Sequence, residues 1–121
     1  MYLSLPITLV IPVLNESETL PDLLLAIKAQ RSFPNEVIFC DAGSTDGSAE
    51  LIERWWRREG REGCSCKVIV RSGAMPGAAR NAGIFAAENE WIAFIDAGII
   101  PDYDWLAQLY SYATEKRLSV V

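Results

Sequence analysis

Two aspartates follow apolar runs of this 121-residue sequence, and both could bind a ligand. Asp41 follows the run VIFC (residues 37–40) and opens the polar stretch DAGSTDGS (residues 41–48), whereas Asp96 follows WIAFI (residues 91–95). A carboxylate accepts hydrogen bonds or ligates a hard cation such as Mg²⁺. Because open α/β sheets bind ligands at the carboxyl ends of their strands, the two positions predict a ligand site.

Two further groups are candidates at the same edge. The turn after the first apolar run contains Pro12, Asn15 and Glu16, although Asn15 and Glu16 could instead cap the helix that follows. Arg80 lies in a run of small residues (77–87), where it could bind an anion or remain a solvated helix residue. The predicted site therefore combines acidic groups with a cation.

Both aspartates have a functional and a purely structural interpretation. Either Ser44 or Asp46 can cap the helix after Asp41, which leaves Asp41 free for recognition. In the structural interpretation, each aspartate only belongs to a strand-to-helix turn. Without a ligand, Asp41 would be a solvated acid and Asp96 an ordinary turn residue.

Alternating strand and helix patterns predict an α/β fold. Right-handed crossovers then arrange a mainly parallel sheet in the order 3-2-1-4, which leaves a crevice between the ends of strands one and four. The predicted strands cover residues 7–14, 36–40, 67–71 and 91–95, with a turn at 32–35, a helix after each strand and a fifth strand starting at 118–121.

The charge, hydropathy and cysteine content of the sequence argue against a nucleic-acid-binding protein, a membrane span and a zinc site. The net charge of −5 opposes a basic nucleic-acid-binding surface, so no nucleic-acid partner is expected. No apolar run approaches the ~20 residues of a membrane span, so we expect a cytoplasmic protein that meets a membrane only through segments outside this sequence. Cys40, Cys64 and Cys66 are expected to be reduced thiols, and no histidine completes a zinc site with them.

Four stretches, in order and at the right spacing, resemble glycosyltransferase family 2. They are IPVLNE (residues 11–16), DAGSTDGS (41–48), PGAARNAG (76–83) and FIDAG (94–98). The resemblance implies the GT-A fold, a Rossmann-like three-layer αβα sandwich. It also implies an inverting enzyme that transfers a sugar from a nucleotide diphosphate sugar, commonly a UDP-sugar, to an acceptor hydroxyl that the sequence does not identify.

The resemblance also implies a role for each candidate residue. The turn from Pro12 to Glu16, with Asn15 in it, would line the nucleoside pocket, and Asp41 would accept a hydrogen bond from the base. The forked guanidinium of Arg80 would reach the base or the diphosphate. Asp96 would be the first carboxylate of the Asp-X-Asp motif, which holds Mg²⁺ or Mn²⁺ against the diphosphate and helps to hold the ribose.

The sequence departs from the family pattern at two positions. Ala42 stands where the common Asp-Asp-Gly-Ser stretch has its second acid, and Gly98 stands where Asp-X-Asp has its last. The second change removes a metal-facing carboxylate. A cation would then depend on Asp96, diphosphate oxygens and water.

In the family, the general base lies in the second half of the domain. Residues 1–121 are therefore expected to form the nucleotide-binding half of a domain that continues beyond Val121, and to be inactive alone. An unpaired edge of the shortened sheet could drive self-association.

Other functions lack their sequence signatures. A dinucleotide-binding dehydrogenase needs a Gly-X-Gly-X-X-Gly turn after its first strand, where this chain has Asn15 and Glu16. The Gly-Lys-Ser/Thr signature of a P-loop phosphotransferase and the basic glycine-rich loop of a sugar-phosphate nucleotidyltransferase are also missing. The remaining alternative is a non-catalytic nucleotide-binding or interaction module of the same fold.

Overall fold

The computed structural model of the chain describes residues 3–115, within which four strands alternate with four helices. The order along the chain is β1 (Leu3–Val13), α1 (Leu20–Lys28), β2 (Ser32–Asp41), α2 (Ser48–Glu59), β3 (Ser65–Val70), α3 (Pro76–Ala86), β4 (Trp91–Phe94) and α4 (Trp105–Glu115). The strands pair in parallel in the order β3-β2-β1-β4, which confirms the predicted topology. The predicted fifth strand, residues 118–121, lies outside the described residues.

The second strand is longer than predicted. The expected turn at residues 32–35 is wrong, because Ser32 to Pro34 pair with Leu3 to Leu5 of β1 before the register shifts. Proline has no N–H to donate, so it is tolerated only where a strand edge is open. The partner β3 begins to pair with β2 only at Glu36, which leaves that edge open beside Pro34.

The two faces of the sheet are covered differently. One face packs against α1, α2 and α4, whose buried residues include Leu20, Leu23, Leu24 and Ile27 of α1, Ile52 and Trp55 of α2, and Leu106 of α4. The other face is covered by α3, whose Ala79 packs against Val10, Ile38 and Cys40. No helix within residues 3–115 is both long and apolar enough to cross a membrane.

The small residues of α3 allow the helix to lie close to the sheet, as predicted. A β-carbon at Gly83 would lie 2.6 Å from Cγ1 of Val10 and 3.0 Å from the sulfur of Cys40, so no larger residue fits there without displacement. This close packing fixes the height at which α3 carries Arg80 above the sheet.

A buried carboxylate anchors the end of α3. Oε1 of Glu36 accepts hydrogen bonds from the Thr8 hydroxyl at 2.6 Å and from the N–H of Glu88 at 2.9 Å. No favourably oriented hydrogen bond reaches Oε2. Nζ of Lys67 lies 3.0 Å from it, and the positive charge of the lysine compensates for the buried negative charge. Burial raises the pKa of Glu36, and the Thr8, Glu88 and Lys67 contacts together bring it below its usual value.

Candidate functional site

A cleft of about 330 Å³ opens at the carboxyl ends of β1 and β4, beside α3. Four of the predicted site residues line it: Pro12, Glu16, Arg80 and Asp96. The remaining lining residues are Val13, Leu14, Cys40, Ala42, Ala74, Ala79, Ala97 and Gly98. Asn15 and Asp41 are not among the lining residues, so the structure gives them a different position.

Asp41 is held by the turn that follows it. Its Oδ1 accepts three hydrogen bonds, from the N–H of Gly43 at 3.0 Å, the N–H of Ser44 at 2.8 Å and the hydroxyl of Ser44 at 2.7 Å. The residue is 2% exposed. The expectation that Asp41 is free for recognition is therefore wrong for Oδ1, and a contact of Asp41 with a base stays a prediction.

Gly43 packs this turn against the next loop. It has a φ of 107°, a conformation that residues with a β-carbon rarely adopt. A β-carbon there would also lie 3.2 Å from Cα of Ser72. The loop after β3 is tied down at the same place, because the N–H of Gly73 donates to the carbonyl of Ala42 at 3.0 Å.

Asn15 joins the turn after β1 to the turn after β2. Its Oδ1 accepts from the N–H of Thr45 at 2.8 Å, and its own N–H donates to the hydroxyl of Ser44 at 2.8 Å. Its φ of 53° lies in the left-handed region, which asparagine tolerates better than most residues. Asn15 therefore does not cap α1; it connects two turns that are 30 residues apart.

Glu16 combines the two roles considered for it. Its Oε2 accepts from the hydroxyl of Thr19, the N-cap residue of α1, at 2.9 Å, so it supports the start of that helix. Its backbone N–H donates to the hydroxyl of Ser48 at 3.0 Å. Glu16 lines the cleft from this position.

Asp46 completes the connection between the two turns. Its carboxylate accepts from the N–H groups of Ser17 and Ser48, each at 3.0 Å, and from the Ser48 hydroxyl. The hydrogen bond from the Ser48 side chain and that from the Ser17 N–H lower the pKa of Asp46 to about 2. The N-cap residue of α2 is Gly47, not Ser44 or Asp46 as predicted, but Asp46 accepts from the first N–H of that helix and also holds the neighbouring turn.

Most lining residues were not among the predicted site residues, and Ala74 and Cys40 are two examples. Ala74 belongs to the loop after β3, and Cys40 precedes Asp41 in β2. Burial raises the pKa of the Cys40 thiol, so it stays protonated near neutral pH and is a poor nucleophile. Its place at the end of a buried strand was the one sequence signal that could have indicated it.

Across the cleft, Arg80 faces Asp96. Nη2 of Arg80 lies 3.9 Å from Oδ1 of Asp96, and the two side chains are 45% and 72% exposed. At that distance and exposure the ion pair is weak, so either group could turn to a ligand at little cost. Asp96 has the accessibility that Asp41 lacks.

The described residues do not supply the pair of carboxylates that the Asp-X-Asp motif offers to a cation. No group of three potential metal-ligating side chains occurs among residues 3–115. Two acids line the cleft: Asp96, and Glu16, whose Oε2 accepts from the Thr19 hydroxyl; Gly98, where the last acid of Asp-X-Asp would stand, contributes no side chain. The guanidinium of Arg80 also occupies space beside Asp96. The assignment of Asp96 as a metal ligand therefore stays a prediction.

A larger, more open groove of about 810 Å³ lies between β3 and α3. It meets the cleft at Ala74 and contains Arg71 and Asn81, but none of the predicted carboxylates. Its wall includes Phe85, which is 92% exposed. We place the candidate site in the smaller cleft, because the facing acid and base are there.

Comparison with known sequences identifies the family of the chain. The sequence profile described as "Glycosyl transferase family 2" matches residues 8–121. The chain belongs to that family. This family 2 chain is 29% identical over 116 residues to glycosyltransferase GlyG of Streptococcus pneumoniae, a match that covers 95% of the chain and 37% of GlyG. The chain thus spans only about a third of the length of the curated relatives it matches first.

Solved structures confirm the GT-A glycosyltransferase fold of the family 2 chain. The crystal structure of S. aureus TarS in complex with UDP-GlcNAc matches with a TM-score of 0.77 and 24% identity, covering 92% of this chain and 32% of that one. The mannosyltransferase PcManGT from Pyrobaculum calidifontis, in complex with GDP-Man and Mn²⁺, matches with a TM-score of 0.79 and 23% identity, covering 89% and 32%. The predicted family and fold class are confirmed.

Proposed function

We propose that this chain binds the nucleotide diphosphate sugar of a glycosyltransferase, and that the donor is a UDP-sugar. The observation that carries the proposal is the cleft at the edge of the sheet, where the exposed Arg80 and the exposed Asp96 face each other. Membership of family 2 supports the donor class. The structural neighbours include complexes with UDP-GlcNAc and with GDP-Man, so the choice of uridine rests on the resemblance to the family, whose donors are commonly UDP-sugars.

Each part of such a donor has a chemically suited partner in the cleft. The guanidinium of Arg80 offers several N–H donors for phosphate oxygens, and Asp96 offers acceptor oxygens for ribose hydroxyls. Pro12 and Ala42 provide apolar surface for the base. Asp41 does not line the cleft and is 2% exposed, so the hydrogen bond from the imide N–H of uracil to its Oδ2 stays a prediction that requires the turn at 41–44 to open toward the base.

In the proposed reaction an acceptor hydroxyl oxygen attacks the anomeric carbon from the side opposite the diphosphate. A new carbon–oxygen bond forms, the bond to the diphosphate breaks, and the bonding electron pair leaves with the nucleotide, so the configuration inverts. The hydroxyl proton passes to a carboxylate base, which we place beyond the nucleotide-binding half. Arg80 stabilises the negative charge of the leaving diphosphate.

The proposal is tested by titrating UDP and UDP-GlcNAc into the chain by calorimetry, beside Asp96→Asn and the matched control Asp102→Asn. Asp102 is an exposed acid on the turn before α4, outside the cleft. We expect Asp96→Asn to weaken binding by about 10-fold, the value of one hydrogen bond to a charged group, and Asp102→Asn to leave it unchanged. Absence of nucleotide binding to the folded chain would contradict the proposal.

The alternative of a non-catalytic module keeps the same cleft and lacks only the transfer step. The position of Gly98, without a second acid, is the feature that favours it. Nucleotide binding without sugar transfer by the whole protein that contains this chain would identify such a module.

A further inference from the structure

The cleft has the charges needed to hold a diphosphate without a metal ion. A divalent cation in a family 2 site would sit between acidic side chains and the phosphates, but Asp96 is followed two residues later by Gly98. Cations such as Mg²⁺ and Mn²⁺ prefer several oxygen ligands, and of the two acids that line the cleft, Glu16 already uses Oε2 to accept from the Thr19 hydroxyl. The cleft of this chain is poor in the oxygen ligands that such an ion needs.

Arg80 places a positive charge beside the acid to which a cation would bind. Its Nη2 lies 3.9 Å from the Asp96 carboxylate, and no other described residue hydrogen-bonds to its guanidinium. A dication bound to Asp96 would therefore lie close to a positive charge and be repelled by it unless Arg80 turned away. The same guanidinium has N–H donors left for the two phosphates, in the forked geometry that suits them.

The packing of α3 against the sheet holds the backbone of Arg80. Ala79 is buried against the sheet, and Gly83 brings the helix axis close to Val10 and Cys40. Moving α3 toward the sheet would create a clash at Gly83, and moving it away would lose the packing of Ala79, so the backbone of Arg80 has a constant height above the cleft.

We propose that Arg80 takes the place of the divalent cation in this chain, so that donor binding does not depend on Mg²⁺ or Mn²⁺. This inference rests on the proposed function, because it assumes that the ligand of the cleft carries a diphosphate. It predicts that the metal dependence can be restored by adding the missing acid.

Gly98 allows that addition. Its backbone is not in the left-handed region, and a β-carbon there would meet no atom within 4 Å. Gly98→Asp should therefore fold normally and place a second carboxylate two residues after Asp96. Gly98→Asn is the matched control, because it adds nearly the same volume without the charge.

The test measures UDP binding to the chain by calorimetry, once in EDTA and once in Mn²⁺. We expect the wild-type dissociation constant to change less than about 2-fold between the two conditions, and Arg80→Ala to weaken binding in EDTA by about 10-fold or more. Arg54→Ala, which removes an exposed arginine of α2 outside the cleft, should have no effect.

The Gly98→Asp variant provides the second part of the test. Gly98→Asp should bind UDP about 10-fold more tightly in Mn²⁺ than in EDTA, whereas Gly98→Asn should behave as the wild type. Electron paramagnetic resonance of Mn²⁺ with UDP present should show protein-bound metal in Gly98→Asp and not in the wild type.

The outcomes separate the inference from the function on which it rests. If Mn²⁺ tightens wild-type binding by about 10-fold and Asp96→Asn abolishes that gain, the inference is overturned and the proposed donor site stands. If UDP binds in neither condition, the proposed function itself is contradicted.

Discussion

The turns after β2 and β4 both begin with an aspartate at the end of a strand, yet they leave the two carboxylates in opposite states. Asp41 is 2% exposed and accepts three hydrogen bonds from its own turn. The side chain of Asp96 is 72% exposed and has one long ion pair. The first acid holds the backbone of the site, and the second is available to a ligand.

The difference lies in the residues that follow each aspartate. After Asp41 come Gly43, which adopts a positive φ, and Ser44, whose N–H and hydroxyl both reach the carboxylate. After Asp96 the chain has Ala97 and Gly98 and then apolar residues, so no hydroxyl is offered to the acid. An aspartate at a strand end is therefore accessible only where its own turn does not use it.

Removing each carboxylate in turn tests whether Asp41 and Asp96 contribute differently to stability. We expect Asp41→Ala to lower the free energy of unfolding by about 3 kcal/mol, because it leaves buried donors without an acceptor. Asp96→Ala should change it by less than about 0.5 kcal/mol, since the side chain is exposed. Urea unfolding followed by tryptophan fluorescence measures both, and equal losses would refute the contrast.

The connection between the turns provides a second, smaller test. Asn15→Ala removes the acceptor for the Thr45 N–H and places alanine at a φ of 53°, so we expect a loss of about 1.5 kcal/mol. Asn15→Asp keeps both the acceptor oxygen and the tolerance of that conformation. Its free energy of unfolding should stay within about 0.5 kcal/mol of the wild type, and a loss as large as that of alanine would show that the hydrogen bond is not what matters.

The smallest effect concerns pH. Because hydrogen bonds lower the pKa of Asp46 to about 2 in the folded state, its contribution to stability is complete above the usual value of 3.8. That contribution is lost as the pH falls through about 2. Carboxyl NMR should detect this titration, and Ser48→Ala should move the pKa of Asp46 back toward 3.8, because the hydroxyl is the main cause of the shift. A wild-type Asp46 that titrates at its ordinary value would contradict this account.

Much of the fold was readable from the sequence, because its signals are local. Apolar runs of strand length, helical spacing of Leu20, Leu23 and Leu24, and small residues in α3 predicted the elements and the sheet order. The failure at Pro34 has a non-local cause. Proline predicts a turn, but the late start of β3 leaves an open edge that accepts it within a strand.

The candidate site was predicted in part. Pro12, Glu16, Arg80 and Asp96 line one cleft, because parallel strands bring their carboxyl ends to one edge. The burial of Asp41 was within reach of sequence reasoning, since an aspartate followed by glycine and serine favours a turn that bonds back to its side chain. The role of Asn15 was not, because its partner Thr45 lies 30 residues away.

By itself, then, the sequence determined the class of fold, the order of the strands, the family and the edge of the sheet at which the candidate cleft lies. Periodicity and turn residues act over a few neighbours and are written along the chain. Only the tertiary structure decided which carboxylate is open, that Asn15 connects two turns, and that Arg80 faces Asp96. Those outcomes depend on distances between residues far apart in sequence, which packing sets and no local pattern contains.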